Sequence, residues 1–195
     1  MFENPDEIDI NIFIDSDKSE IVKQQIIQTC IDRKDAHAII DVKYESVVNN
    51  KGSEVSSLIN YRLGIAPFAS NNININSDRF SIYGNWLEVY DQYNRKYRWI
   101  PASGYVAGLY ANNDELTDPW FAPAGLNRAV IVGVRRLAWN PNQAQRDQIY
   151  KVAINPIVSF AGQGKVVWGQ KTGLDKNSAF NRVNVRRLFN VIEKA

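Results

Sequence analysis

Residues 154–172, INPIVSFAGQGKVVWGQKT, constrain the fold more than any other stretch. Ile157 and Val158 are β-branched, and Val166, Val167 and Trp168 are β-branched or aromatic, residue types that fit a pleated, half-buried surface. Between them Ala161-Gly162-Gln163-Gly164 carries no bulky side chain, so the backbone can turn there with positive φ. The spacing predicts two short strands around a tight turn, a hairpin-like core element. Lys165 and Lys171 fall near the ends of the second strand, within reach of water.

The same stretch comes within one residue of a phosphate-binding loop, because Gly164 and Gly169 are followed by Gln170-Lys171-Thr172. That motif needs its Lys directly after the second Gly and a loop of free N–H groups running into a helix. Lys-Val-Val-Trp between the glycines favours a strand, so the chemistry of a nucleotide site is absent from the pattern.

Upstream, Ile8–Ile14 alternates apolar and polar residues as a strand does. Asp17 with Glu20 three residues on is a capping-box pattern for a helix over about 18–33, with Val22, Ile26 and Cys30 on one face. Cys30 then reads as a small core residue. Residues 36–42, AHAIIDV, form a second strand, so strand, helix and strand make a βαβ unit with parallel strands. Ser53 can cap a helix over about 54–63, and the Asn-, Ser- and Gly-rich stretch 64–79 reads as an exposed excursion.

Residues 80–90 and 96–100 read as strands dense in aromatics: Phe80, Tyr83, Trp86, Tyr90, Tyr97 and Trp99. Stacking of single-stranded nucleic acid is one use of such a surface. With few basic residues, interleaved with Glu88 and Asp91, packing in the core and between subunits is the better reading. Pro101 marks a break and Ser103 can cap a helix in which Gly104 and Gly108, like Ala107 and Ala111, are four apart. A mid-helix Gly costs about 1 kcal/mol relative to Ala, so another backbone is expected close to that face. Residues 112–128 form a polar connection anchored by Trp120 and Phe121, and a domain boundary is expected there. Residues 129–139 read as a strand, Asn140 and Pro141 as the start of a helix to about Ala153, and 184–195 as a last helix. In that helix Val185, Leu188, Phe189 and Ile192 follow i, i+3, i+4, i+7 and are expected to face the core, leaving Arg187, Asn190 and Lys194 opposite and Arg186 on the flank.

Composition bounds the function. The 195 residues, 45% hydrophobic, suffice for one large or two small cores. A single cysteine allows no internal disulfide, which fits folding in a reducing cytoplasm. The acidic start lacks the basic region and apolar run of a signal peptide, and no apolar run has the length to span a bilayer. Charge is uneven: residues 1–60 hold 6 basic and 12 acidic side chains, residues 119–195 hold 12 and 3. Such asymmetry points to a charged partner for each end. Nucleic acid is a distant alternative for the basic part, which has no recognisable DNA- or RNA-binding motif. One His and one Cys cannot supply a structural zinc site, and Glu3, Asp6, Glu7 and Asp9 lack calcium-loop spacing. No metal, cofactor or catalysis is expected.

INP at 154–156, FAGQGKVVWG at 160–169, RVNVRRLF at 182–189, PASGYVAGLYA at 101–111 and PWFAPAG at 119–125 together resemble the contractile tail sheath proteins of bacteriophages. Ile100 replaces the first Pro of the family's PPSG-type motif. The resemblance implies an α/β fold: a mixed sheet flanked by helices in a subtilisin-like sheath domain (1–118, in part), followed by the start of a smaller α+β C-terminal sheath domain (119–195). The protease order Asp15, His37, Ser103 occurs, but a triad is defined by geometry, and neither His37 nor Ser103 has the protease context. The resemblance further implies a virion protein assembled in the host cytoplasm, polymerised with itself through strand exchange around a tail tube. Baseplate and tail terminator are the other implied partners, without nucleic acid and without membrane insertion. Contraction would drive the tube through the host envelope; the sheath of a phage-like injection apparatus is the alternative. Sheath proteins are longer and linked by terminal arms, so the chain is expected to be a fragment or to be linked differently. Arg186, Arg187 and Lys194 are the residues expected to touch the tube.

Overall fold

The computed structural model describes residues 2, 4, 5 and 7–194. Its centre is the expected βαβ unit: β1 (Ile12–Ile14), α1 (Glu20–Arg33) and β2 (His37–Asp41), with β1 and β2 parallel. β2 is buried along its whole length, as a strand covered on both faces must be. The helix starts later than the capping-box pattern implied. Ser19 is the N-cap, and Asp17 sits upstream with positive φ, its N–H donated to the Asp15 carboxylate.

After α2 (Tyr44–Val47) and α3 (Glu54–Leu63), the 80–90 segment divides between two sheets. β3 (Phe80–Tyr83) lies parallel to β2, whereas β4 (Trp86–Asp91) pairs antiparallel with β5 (Lys96–Pro101). The break falls at Gly84-Asn85. A Cβ on Gly84 would come 2.8 Å from the Ile154 side chain. The Asn85 amide donates to the carbonyls of Trp139 (2.9 Å) and Ile157 (3.1 Å), and its oxygen accepts from Trp86 N–H. One buried Asn thus fastens the end of one sheet to two others.

α4 (Ser103–Leu116) follows, and the expected strand over 129–139 also divides, at Gly133 with φ +77°. β6 (Val130–Ile131) joins β9 and β10, and β7 (Arg136–Leu137) joins β4. α5 (Gln143–Lys151) begins two residues later than expected, from Asn142, whose side chain forms a capping box with Gln145. β8 (Ile154–Asn155) then completes the parallel sheet in the order β1-β2-β3-β8. β9 (Ile157–Phe160) and β10 (Gly164–Val167) form the expected hairpin, with Gly162 and Gly164 at positive φ. A short 3-10 turn (Ala179–Asn181) leads into α6 (Val183–Lys194).

The parallel sheet separates two cores. Ala38 and Ile40 point to a core with Ile27, Cys30, Leu58, Tyr61 and Ile149 from α1, α3 and α5. Ile39 and Tyr83 point to the opposite core with Val106, Tyr110, Ile157 and Val183. The expected α/β architecture of a sheet flanked by helices is present, but among the described residues that sheet is parallel throughout rather than mixed, and the antiparallel strands form two separate three-stranded sheets. The division expected at 118/119 does not coincide with a break in hydrogen bonding, because β7 and β8 pair with β4 and β3 across it.

Candidate functional site

The residues that would make an acid–base centre are dispersed into structural roles. His37 is fully buried; its Nε2 meets Ser81 Oγ at 3.0 Å. Burial, then the nearby Arg187, Arg186 and Arg79 cations, push its pKa down to about 3. Ser103 donates its backbone N–H to Asp41 Oδ1 at 2.7 Å, so Asp41 holds the N-terminus of α4. Asp15 in turn accepts from the Asp41 N–H (3.0 Å) and lies 3.5 Å from the buried Lys23 ammonium. Burial first, and Asp15 next, raise Asp41 well above the usual carboxylate range. Lys171 donates to the Tyr150 carbonyl at 2.9 Å, and the strand that precedes it does not run directly into a helix. Among the described residues no group of three or more His, Cys, Asp or Glu could hold a metal, and no helix is long and apolar enough to cross a membrane. Glu3, Asp6 and Ala195 lie outside the described residues.

α6 departs in part from the expected placement of its faces: of the four residues expected to face the core, Val185 and Leu188 are half-buried and Phe189 and Ile192 are exposed. Arg186, Arg187 and Asn190 are buried, whereas Phe189, Val191 and Ile192 are exposed, Ile192 at 56%. The seat for this helix is acidic and aromatic. Arg187 pairs with Asp114 and lies 4.8 Å over the Tyr110 ring; Arg186 pairs with Asp78 and lies 4.5 Å over Phe180. Lys194 pairs with Asp9 and reaches Asp35 at 3.7 Å. The period of 3.6 was correct but the inward side was only partly so, because the carboxylates that receive the guanidiniums are distant in sequence. The three residues expected to touch the tube thus sit along one belt, with two of them turned into the chain.

The Gly face of α4 also departs from expectation. No atom lies within 4 Å of where a Cβ would stand at Gly104 or Gly108. In place of a packed backbone there is a groove of about 710 Å³ lined by Ile100, Tyr105, Leu109, Val130 and Val132 among others. β6 is the edge strand of its sheet at that groove. The backbone expected close against this helix face is not found among the described residues. Sequence reasoning gave no prominence to Arg135 and Arg136, which cap an aromatic sheet face over Tyr97 and Trp99; the adjacent Arg pair beside a strand was the available sign.

Comparison with known proteins identifies the setting of these surfaces. Residues 10–173 match the profile of the phage tail sheath protein central domain. The chain is 42% identical over 168 residues to the tail sheath protein of Vibrio phage KVP40, covering 84% of this chain and 25% of that protein. It is 35% identical over 200 residues to that of Enterobacteria phage T4, covering 98% of this chain and 30% of the relative. The chain thus spans less than a third of the length of the curated relatives it matches. Among solved structures, the contracted PVC sheath complex of an extracellular contractile injection system superposes with a TM-score of 0.70 at 24% identity, covering 96% of this chain and 46% of that one. The contracted helical sheath of the anti-feeding prophage gives 0.68 at 22%, covering 97% and 46%. These two likenesses concern the fold.

Proposed function

The chain belongs to the phage tail sheath protein family, and we propose that it is the central part of a subunit that polymerises around a tail tube and contracts. The observation that carries the reading is the profile match over residues 10–173 together with relatives at 35–42% identity. The surfaces support it. A chain whose two cores are filled still presents an apolar face on α6 and an open groove along α4. Such surfaces suit a unit completed by contacts beyond itself.

In this reading contraction is a change between two packings of folded units, close to rigid-body motion about their interfaces. Work is stored in intersubunit contacts, with no catalytic step. His37 bonds Ser81, whereas Asp15 and Ser103 both bond Asp41, an arrangement that supports a structural role. A subtilisin-like kinship of the central sheet, a smaller C-terminal sheath domain beginning within 119–195, and assembly in the host cytoplasm belong to the same proposal. So do strand exchange between subunits, for which the β6 edge offers a place, and contacts to tube, baseplate and tail terminator. Tube contact by the α6 belt would fall mainly to Lys194, since Arg186 and Arg187 are 5% and 6% exposed.

The test is to express the complete reading frame that carries this chain with its cognate tube protein and image the product by electron microscopy. Striated sheath of two lengths around or beside tubes is expected; bare tubes with soluble, unassembled protein would overturn the proposal.

A further inference from the structure

At the carboxyl ends of β1 and β2 the chain buries more carboxylate than ammonium. Asp15, Asp41 and Lys23 are all buried, the last two completely. Asp15 is well supplied with donors. Its Oδ1 accepts from the Asp17 N–H (3.2 Å), its Oδ2 accepts from the Asp41 N–H (3.0 Å), and the Lys23 ammonium stands 3.5 Å from Oδ2. The same ammonium donates to the Asp41 backbone carbonyl at 2.8 Å and to the Tyr61 hydroxyl at 3.4 Å, which leaves none of its three N–H groups for the Asp41 side chain. Asp41 Oδ1 accepts the Ser103 N–H at 2.7 Å. Its Oδ2 receives no hydrogen bond, and the buried Ser103 Oγ has no partner either.

Two ionised carboxyls and one ammonium would leave an unbalanced negative charge in this dry site, and a buried group in that position binds a proton instead. Deprotonating Lys23 would strip both carboxylates of their cation, so the proton belongs on a carboxyl. Asp41 Oδ2 is the one carboxyl oxygen of the pair that no donor serves. The surroundings deepen the need. Asp17, Glu20 and Glu45 lie around Lys23, Lys43 is engaged by Glu20 at 3.3 Å, Lys18 is exposed, and Tyr61 is a buried phenol. Burial first and Asp15 next hold Asp41 well above the usual carboxylate range, in agreement with the charge balance, and the two carboxyls meet directly.

We propose that Asp41 carries a proton on Oδ2 at neutral pH and donates it to Asp15, and that this hydrogen bond fastens the turn after β1 to the start of α4. The turn needs a fastening, because Ser16 (φ 48°) and Asp17 (φ 57°) are successive non-glycine residues in the left-handed region. Asp15 pins that turn through the Asp17 N–H, and Asp41 pins α4 through the Ser103 N–H. The proton links these two anchors side chain to side chain. Its loss to water leaves two carboxylates face to face, and their repulsion drives the turn and the helix start apart. Ser16 and Ser103 both line the groove along α4, so that end of the groove is the part of the chain that answers to pH. The device is internal to one chain and needs no assembly.

The test follows the carboxyl carbons of the 195-residue chain by NMR through a pH titration, with carbon-labelled aspartate. The exposed Asp32 and Asp147 should move through their titration near about pH 4, whereas the Asp41 signal stays at its protonated position to about pH 7. Hydrogen exchange reads the fastening. The closed site holds the proton more tightly than the opened one, so its advantage is complete below about pH 4 and is lost as pH rises. With the intrinsic pH dependence divided out, protection of the Ser103 and Asp17 amides should therefore fall about tenfold per pH unit between about pH 5 and 7. Asp41→Asn keeps an acceptor for the Ser103 N–H and removes the titrating proton, so its protection should be level over that range, with unchanged circular dichroism. An Asp41 signal that titrates beside the exposed carboxyls would overturn the proposal without recourse to any variant. Equal slopes in the unaltered and Asp41→Asn chains would overturn it as well.

Discussion

Replacing Arg187 by Ala and, separately, Ile192 by Ser separates the two possible orientations of α6. Arg187 is buried, pairs with Asp114 and covers the Tyr110 ring, so truncation removes an ion pair, a cation–π contact and side-chain packing together. Removing one member of a fully buried pair costs about 3–5 kcal/mol. Asp114 is one-third exposed here and water can take over part of its solvation, so about 2–3 kcal/mol is the expected loss. For a chain of this size that lowers Tm by roughly 5–10 °C. Ile192, more than half exposed, should cost less than about 0.5 kcal/mol as Ser, as surface changes do. Urea titration followed by circular dichroism and tryptophan fluorescence measures both on the isolated chain. The opposite pattern, a neutral Arg187→Ala and an Ile192→Ser costing about 2 kcal/mol or more, would place the apolar face inward and refute the structure's assignment.

Four further outcomes follow from buried groups and from the space around two glycines. His37 has a folded pKa of about 3 against about 6.5 unfolded, so the unfolded chain binds its proton first; this contribution is complete above pH 6.5 and lost progressively as pH falls towards 3. At pH 5 the loss is about 2 kcal/mol, and the slope of urea stability between pH 6.5 and 5 should shrink accordingly in His37→Asn. Asp41 is shifted the other way, so its burial destabilises the fold increasingly as pH rises above the usual carboxylate range. Asp41→Asn, which keeps an oxygen for the Ser103 N–H, should flatten the pH dependence above pH 4, whereas Asp41→Leu should cost about 1–3 kcal/mol by orphaning that donor. Gly173→Ala should unfold the chain or cost about 3 kcal/mol or more by overpacking, because its Cβ would stand 2.1 Å from the Phe80 ring. Gly104→Ala meets open space and should stabilise the isolated helix position by up to about 1 kcal/mol in the same titration.

The parallel βαβ unit, the 157–167 hairpin, the helix over 54–63 and the first part of α4 were legible because each is specified by neighbours in sequence, whereas the last five residues of α4, 112–116, fall in the stretch read as a polar connection. A period of two or of 3.6 and a Gly pair in the turn suffice to define them; Ser103, read as the cap of α4, is instead its first residue, after Ala102. Where two strands ran together the signal failed. Residues 80–90 and 129–139 read as unbroken β-segments, yet Gly84-Asn85 and Gly133 send their halves into different sheets. Propensity reports that a residue suits a pleated surface and carries no record of which sheet will accept it. The break at Gly84 is enforced by Ile154 and the bonds of Asn85 to Trp139 and Ile157, partners 54 to 72 residues away.

The same limit explains why the outward surfaces were the least legible part. A helix period defines two faces and says nothing of which one turns inward, and for α6 the usual rule that the apolar face does so assumes that the chain supplies its own cover. Here Asp78 and Asp114, from different parts of the chain, claim the guanidiniums first. The apolar residues Val191 and Ile192 are then left facing out. For an isolated domain that arrangement would be a liability for aggregation. For a subunit of an assembly it leaves the polar contacts inside, fixed by geometry, and the less directional apolar ones outside. Contacts of that second kind tolerate sliding and repacking better than a bidentate ion pair does, which is the property required at interfaces that must exist in two arrangements. Gly104 and Gly108 fit the same logic, since a helix face without side chains offers a smooth, open groove. If apolar assembly faces serve this purpose, replacing the α6 face with paired charges should lock one arrangement. In the complete protein, Phe189→Glu with Ile192→Lys is expected to leave the central fold intact by circular dichroism and to yield sheath of a single length by electron microscopy. Sheath of both lengths in normal proportion would show that this face takes no part in the change.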